Sequence, residues 1–152
     1  MKRFRYSLET VLDYKQQILD NEKAEHAVII RRVDQKKEEI RRLKDELMSF
    51  HHGFDESKSI GAPIESFRLY DMCIGLMEEK INIRKEQLTH LKKEEEKKKQ
   101  QVIAAKVDAS KFEKLKGRRQ EEYRKAEAKE EENFIEEFVT RGYTAGNPSS
   151  GE

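Results

Sequence analysis

Apolar residues recur at alternating intervals of three and four positions along the N-terminal part of the chain. Nine of the thirteen a and d positions of this heptad repeat are apolar, the full set being Leu8, Leu12, Lys15, Leu19, Glu22, His26, Ile29, Val33, Lys36, Ile40, Leu43, Leu47 and Phe50. A spacing of about 3.5 residues keeps one stripe of a helix facing a partner helix. The repeat therefore predicts a coiled-coil helix over about residues 7–52.

A second heptad repeat follows residue 63 and predicts a helix that continues to about residue 140. Its apolar positions are Phe67, Tyr70, Ile74, Met77, Ile81, Leu88, Leu91, Val102, Ala105, Ala109, Phe112, Tyr123 and Ala126. Polar residues interrupt it at Arg84, Glu95, Lys98, Lys116, Arg119, Glu130 and Asn133. Helix is still expected through the charged residues 92–101, because Glu94 and Lys98 form an i, i+4 pair in the favourable order.

The linker between the two repeats contains Gly53 and Gly61 and is followed by Pro63. Glycine permits backbone conformations closed to other residues, and proline is tolerated in the first turn of a helix, so we expect a loop over residues 53–62. Periodicity alone also allows one interrupted coiled coil in a symmetric dimer. Reversal at the loop is favoured because pairing within one chain avoids the cost of finding a second chain.

The predicted fold is thus all-α: residues 1–140 form two long helices in an antiparallel coiled-coil hairpin, and residues 141–152 form a flexible tail. Helix one should lie beside residues 63 to about 108, which leaves about 30 residues of helix two as a C-terminal helical overhang. The overhang contains apolar residues that a lone helix cannot bury, namely Phe112, Leu115, Tyr123, Phe134, Ile135 and Phe138. They either pack against another copy or stay exposed, or they enter the cavity of a partner.

Composition narrows the possible functions. Charged residues make up 41% of the chain and hydrophobic residues 35%, too little apolar material for an ordinary globular core. The formal net charge of +1 argues against nucleic-acid binding, although Lys111, Lys114, Lys116, Arg118 and Arg119 form a local basic patch. The single Cys73 forms no internal disulfide, and no apolar run approaches the length of a membrane span. We expect a soluble cytoplasmic protein without membrane insertion, whose partners are proteins.

The sequence offers little support for catalysis, a metal or a cofactor. His51 and His52 lie near Asp55 and Glu56, but adjacent histidines usually point apart and no metal-binding spacing accompanies them. His26 occupies an a position of the heptad repeat, on the seam where the two helices would meet. It is better interpreted as a polar residue that sets the helix register. A two-stranded coiled coil also has no cavity for a reaction, so we expect a protein that is not an enzyme.

Several short stretches resemble the flagellar FliJ family of type III export proteins. They are FRYSLETVLD at residues 4–13, Glu22 and Ala24, Tyr70 with Ile74, Met77 and Ile81, LKGRRQEEY at residues 115–123, and FIEEF at residues 134–138. The resemblance implies a two-helix antiparallel coiled coil similar to the central stalk subunit of rotary ATPases.

The resemblance also implies a function in flagellum biogenesis and motility, at the cytoplasmic face of the membrane. Such a protein seats in the hexameric export ATPase FliI and stimulates it, contacts the export-gate protein FlhA and escorts flagellar export chaperones. By the resemblance, the gate contact falls on Tyr70, Cys73, Ile74, Met77 and Ile81. By the stalk analogy, the ATPase-ring contact falls on Phe4, Leu8, Leu12, Tyr123, Phe134 and Phe138. The alternative is a generic scaffolding coiled coil that dimerises through its C-terminal helix.

Overall fold

A computed structural model describes residues 2–146, and the only regular elements among them are two helices. The first, α1, spans Glu9–Ile60 and the second, α2, spans Ile64–Ala145. The two helices pack against each other, so the predicted all-α hairpin is confirmed.

Contacts divide the chain into two units, each with its own pair of helical segments. The first unit comprises Met1–Gln17 and Lys106–Glu152, of which residues 2–17 and 106–146 are described. Its segments run antiparallel, because the carboxylate of Glu9 lies 2.9 Å from Lys116 and the Nζ of Lys15 lies 2.7 Å from Asp108. The second unit comprises Ile18–Ala105 and has the same antiparallel arrangement, because His26 pairs with Glu95 and Glu39, further along α1, pairs with the earlier Arg84.

The residues at the predicted heptad positions form the interface within both units. Leu12 and Ala109 are buried in the first unit, and Val33, Ile40 and Ile81 are buried in the second. Every predicted seam position from Leu8, which precedes α1, to Phe50 is buried or half-buried. No side chain of the described residues is fully buried, because a two-helix interface covers each one from one side only.

Several polar seam residues that interrupt the heptad pattern are paired across the interface. In the second unit, His26 Nε2 lies 2.7 Å from Glu95, and Lys98 Nζ lies 2.7 Å from Glu22. Arg84 Nε donates a hydrogen bond of 2.5 Å to Glu39. These pairs help to explain how helices with so many polar seam positions remain associated, since the charges of Lys98 and Arg84 each meet a carboxylate across the interface.

The chain reverses in a turn of three residues, shorter than the predicted loop over residues 53–62. Gly61 has a φ of 70°, and the Ala62 N–H donates to the Ser57 carbonyl at 3.1 Å, a helix C-terminal motif that requires the left-handed conformation. Gly53 is helical instead. The predicted loop was too long because both glycines were assigned to the turn, whereas only Gly61 has a positive φ.

The overhang is also shorter than predicted, because the chain pairs beyond residue 108. The segment before α1 lies against α2: the Tyr6 hydroxyl donates to the Phe112 carbonyl at 3.0 Å, and the Tyr123 hydroxyl donates to the Lys2 carbonyl at 2.7 Å. All described residues from Ala128 onward are exposed. Helix α2 ends five residues after the predicted boundary, and residues 147–152 of the predicted tail lie outside the described residues.

Candidate interaction surfaces

The end of α2 carries a contiguous apolar surface with no helix beside it. We call it the terminal stripe and define it as Phe134, Ile135, Phe138, Val139 and Tyr143. Phe134 is 70% exposed, Phe138 is 72% exposed and Tyr143 is 82% exposed. Because the members recur at intervals of one, three and four positions, they share one side of the helix. A lone helix of this kind leaves its apolar side chains available to another molecule.

Carboxylates surround the terminal stripe. Glu127, Glu130 and Glu131 border the same surface depression as Phe134 and Ile135. Residues 127–141 contain six carboxylates and two cations, a net charge of −4. The stripe is therefore an apolar surface in a strongly acidic setting, which restricts the partners it suits.

The residues predicted to contact an ATPase ring all lie in the first unit, but their environments differ. Leu12 is 4% exposed and packs within the interface, and Leu8 is half-buried. The rings of Phe4 and Tyr123 lie 5.5 Å apart, so these residues fasten the N-terminal segment to α2. Only Phe134 and Phe138 are largely exposed, and both belong to the terminal stripe.

The residues predicted to contact the export gate lie on the inner side of α2 near the turn. Ile81 is 5% exposed, and Cys73, Ile74 and Met77 are half-buried. Tyr70 packs edge-on against Phe54, with ring centroids 6.3 Å apart. All five therefore contribute to the helix interface, and their part in a gate contact stays a prediction.

The sequence reasoning missed a second apolar surface on the outer side of the same part of α2. We call it the outer stripe and define it as Leu69, Met72, Leu76 and Ile83, all of which are exposed. Gly75 lies among them with open space at the position of a side chain, which allows close approach by another backbone. The signal was present in the sequence, because intervals of three, four and seven positions form a heptad stripe separate from the seam.

The described residues offer no group of three or more metal-ligating side chains, and none of their helices is long and apolar enough to cross a membrane. The histidines near the turn do not converge on a ligand set. His52 lies 3.3 Å from Glu56 one turn away on the exposed side of α1.

The geometry defines a class, a coiled-coil hairpin whose free apolar surfaces are helical stripes of the kind that dock on other proteins. The chain belongs to the FliJ family, because the family model described as flagellar FliJ protein matches residues 4–147. The resemblance found in the sequence is thereby confirmed, and the chain is a component of the flagellar export apparatus, as the family is. No curated protein and no solved structure matches the chain.

Proposed function

We propose that this protein is a stalk-like subunit that binds and stimulates the hexameric export ATPase FliI through its first unit. The main support for this proposal is the match to the family over residues 4–147. The terminal stripe supports it, because a helix end with exposed Phe134 and Phe138 has the form of a segment that enters a cavity. The other predicted contacts, Phe4, Leu8, Leu12 and Tyr123, hold the first unit together and present its surface to the ring.

A second contact is proposed with the export-gate protein FlhA. The predicted residues Tyr70, Cys73, Ile74, Met77 and Ile81 shape the helix pair near the turn, and the exposed outer stripe supplies the apolar area on the opposite side of α2. Flagellar export chaperones are proposed as further partners. These contacts would place the protein at the cytoplasmic face of the membrane, at the base of the flagellum.

The test compares two paired substitutions with matched chemistry. Phe134→Ser with Phe138→Ser removes apolar area from the terminal stripe, and Leu69→Ser with Met72→Ser does the same on the outer stripe. All four side chains are exposed, so both variants are expected to keep the wild-type circular dichroism spectrum. Loss of two apolar anchors should weaken binding by about tenfold or more.

We expect the terminal variant to lose stimulation of ATP hydrolysis and to retain binding to the cytoplasmic part of FlhA. The outer variant should retain stimulation of ATP hydrolysis and lose binding to the cytoplasmic part of FlhA. Wild-type protein that neither binds the ATPase nor changes its hydrolysis rate would contradict the proposal. Equal effects of the two variants on both partners would contradict the assignment of the two surfaces.

The exposed apolar residues of α2 also favour a second candidate, a scaffold that dimerises through this helix. Sedimentation of the wild-type protein decides between the two, because such a scaffold shows a concentration-dependent dimer that Phe134→Ser with Phe138→Ser abolishes.

A further inference from the structure

The acidic setting of the terminal stripe bears on which molecule can cover it. An exposed helical stripe with Phe134 and Phe138 could accept any helix or groove of apolar character. The carboxylates beside the stripe distinguish among these possible partners. A partner that carries negative charges at the edge of the contact is repelled, and a partner that carries positive charges there is attracted.

The carboxylates lie on both sides of the stripe. At about 100° of rotation per residue, Glu130 and Glu137 fall beside Phe134 and Phe138 on one edge, and Glu132 and Glu136 fall on the other. Glu127 and Glu131 precede the stripe on its own side of the helix, where they border the depression next to Phe134 and Ile135. Any partner that covers the apolar residues therefore meets carboxylates around most of the rim.

A second copy of the same helix is a poor occupant. Packed helices lie about 8–10 Å apart, and the screening length at 0.1 M salt is about 10 Å, so charges on two facing terminal segments would not be screened from each other. Each segment contributes a net charge of −4 between residues 127 and 141. Self-pairing of the stripes would bring these like charges together around the shared apolar contact.

The basic surface of a second copy is a poor occupant as well. Its exposed cations are Lys2, Arg3, Arg5, Lys111, Lys114, Arg118 and Arg119, whereas Lys116 is half-buried and lies 2.9 Å from Glu9. It offers the opposite charge, but along the described part of α2 no large apolar residue between Val107 and Phe134 is exposed. Docking there would leave the terminal stripe without an apolar counterpart.

We infer that the terminal stripe docks into an apolar groove rimmed by lysine and arginine on a partner protein, and that its glutamates exclude a second copy of the chain. The inference rests on the proposed function, in which that partner is the export ATPase ring. The glutamates thus act as a specificity device, since they favour the correct partner and oppose the dimer that the apolar residues alone would allow.

The experiment uses the full chain and a neutralised variant with Glu130→Gln, Glu131→Gln, Glu136→Gln and Glu137→Gln. A matched control changes four exposed carboxylates of the second unit, namely Asp20→Asn, Asp34→Asn, Glu46→Gln and Glu86→Gln. Both variants alter the net charge equally, so a difference between them reflects the position of the charges.

Sedimentation of each protein alone at low salt tests the exclusion of a second copy. We expect the wild type and the control variant to remain monomeric. The neutralised variant should form a concentration-dependent dimer that disappears when Phe134→Ser and Phe138→Ser are added. A wild-type dimer, or a neutralised variant that remains monomeric, would overturn the inference.

Binding to the purified ATPase ring at low and high salt tests the basic groove. Wild-type affinity should fall as salt rises, and the neutralised variant should bind about tenfold more weakly at low salt, with little salt dependence. The control variant should bind like the wild type. If the neutralised variant binds as tightly as the wild type, the inference is overturned and the proposed function stands; if the wild type does not bind, both are overturned.

Discussion

At the scale of single residues, Gly53 shows that a glycine inside a helix can serve packing rather than flexibility. A side-chain carbon at this position would lie 2.8 Å from the Cε1 and hydroxyl oxygen of Tyr70. The absent side chain leaves room for Tyr70 to pack edge-on against Phe54, which also contacts Phe67 with ring centroids 5.6 Å apart. The aromatic cluster near the turn therefore depends on the smallest residue at position 53.

We predict that Gly53→Ala destabilises the protein by about 1 kcal/mol, because the gain in helix propensity is smaller than the cost of overpacking against Tyr70. The control Gly75→Ala meets open space and should stabilise the protein by about 0.5–1 kcal/mol. Urea unfolding followed by circular dichroism measures both free energies of unfolding. In a Tyr70→Leu background the penalty at position 53 should disappear. Equal stabilisation by both alanines would contradict the packing role of Gly53.

At the scale of the helices, polar seam pairs are expected to fix which residues of α1 face which residues of α2. The His26–Glu95 and Lys98–Glu22 pairs occupy successive layers of the second unit. A shift of one helix along the other would place these groups against apolar residues, where an unpaired polar group is costly. The pairs therefore favour one register, although apolar pairs of similar size would pack at least as tightly.

We predict that the double substitution His26→Leu with Glu95→Leu raises the free energy of unfolding by roughly 1 kcal/mol, because two leucines extend the apolar seam. Each single substitution should destabilise the protein relative to the double, since it leaves one polar group facing leucine. Thermal unfolding of the four proteins forms a double-mutant cycle that gives the coupling between the two positions. Strictly additive effects would show that this pair carries no coupling.

At the scale of the whole molecule, many partly exposed contacts between the helices stabilise both units. Carboxylates take part in several of these contacts. The hydrogen bond from Lys15 lowers the pKa of the Asp108 carboxyl. Hydrogen bonds from Lys36 and then Arg84 lower the pKa of Glu39. For a group whose pKa is lower in the folded state, the stability is present above the unfolded pKa and is lost as the pH falls through the folded pKa.

We therefore predict that the protein keeps full stability at neutral pH and loses part of it in acid, below the ordinary pKa range of carboxyl groups. The paired substitution Asp108→Asn with Glu39→Gln should lower stability at neutral pH and flatten the loss in acid. The effect should be modest, because both carboxylates are partly exposed to solvent. Melting temperatures measured between neutral pH and strong acid check this, and an unchanged slope in the variant would contradict it.

The heptad seam could be predicted from the sequence in detail, whereas the turn could not. Leu12, Ile40 and Ile81 are buried where the repeat predicted them. The position of the turn was misplaced because the sequence does not show whether a glycine is required for a positive φ or for a close contact. The surroundings of the two glycines distinguish these uses. A side chain at position 53 would collide with Tyr70, whereas a side chain at position 61 would meet open space.

The candidate surfaces could also be predicted from the sequence only in part. Phe134 and Phe138 were identified from the sequence, because they are apolar residues in an otherwise charged segment beyond the expected end of helix one. Their exposure depends on how far the N-terminal segment covers α2, and the contacts of Phe4 and Tyr6 extend that cover past Phe112. The spacing of the outer stripe, which includes Leu69 and Met72, is also present in the sequence, but its exposure depends on which side of α2 faces α1.

The sequence by itself determined two long helices, their apolar seams and the membership of the FliJ family, because helical periodicity and local motifs are properties of neighbouring residues along the chain. The tertiary structure alone decided the length of the turn, the register and the extent of the free helix end. These depend on which side chains meet across the two helices, and such meetings are set by packing and charge pairing between residues far apart in the sequence.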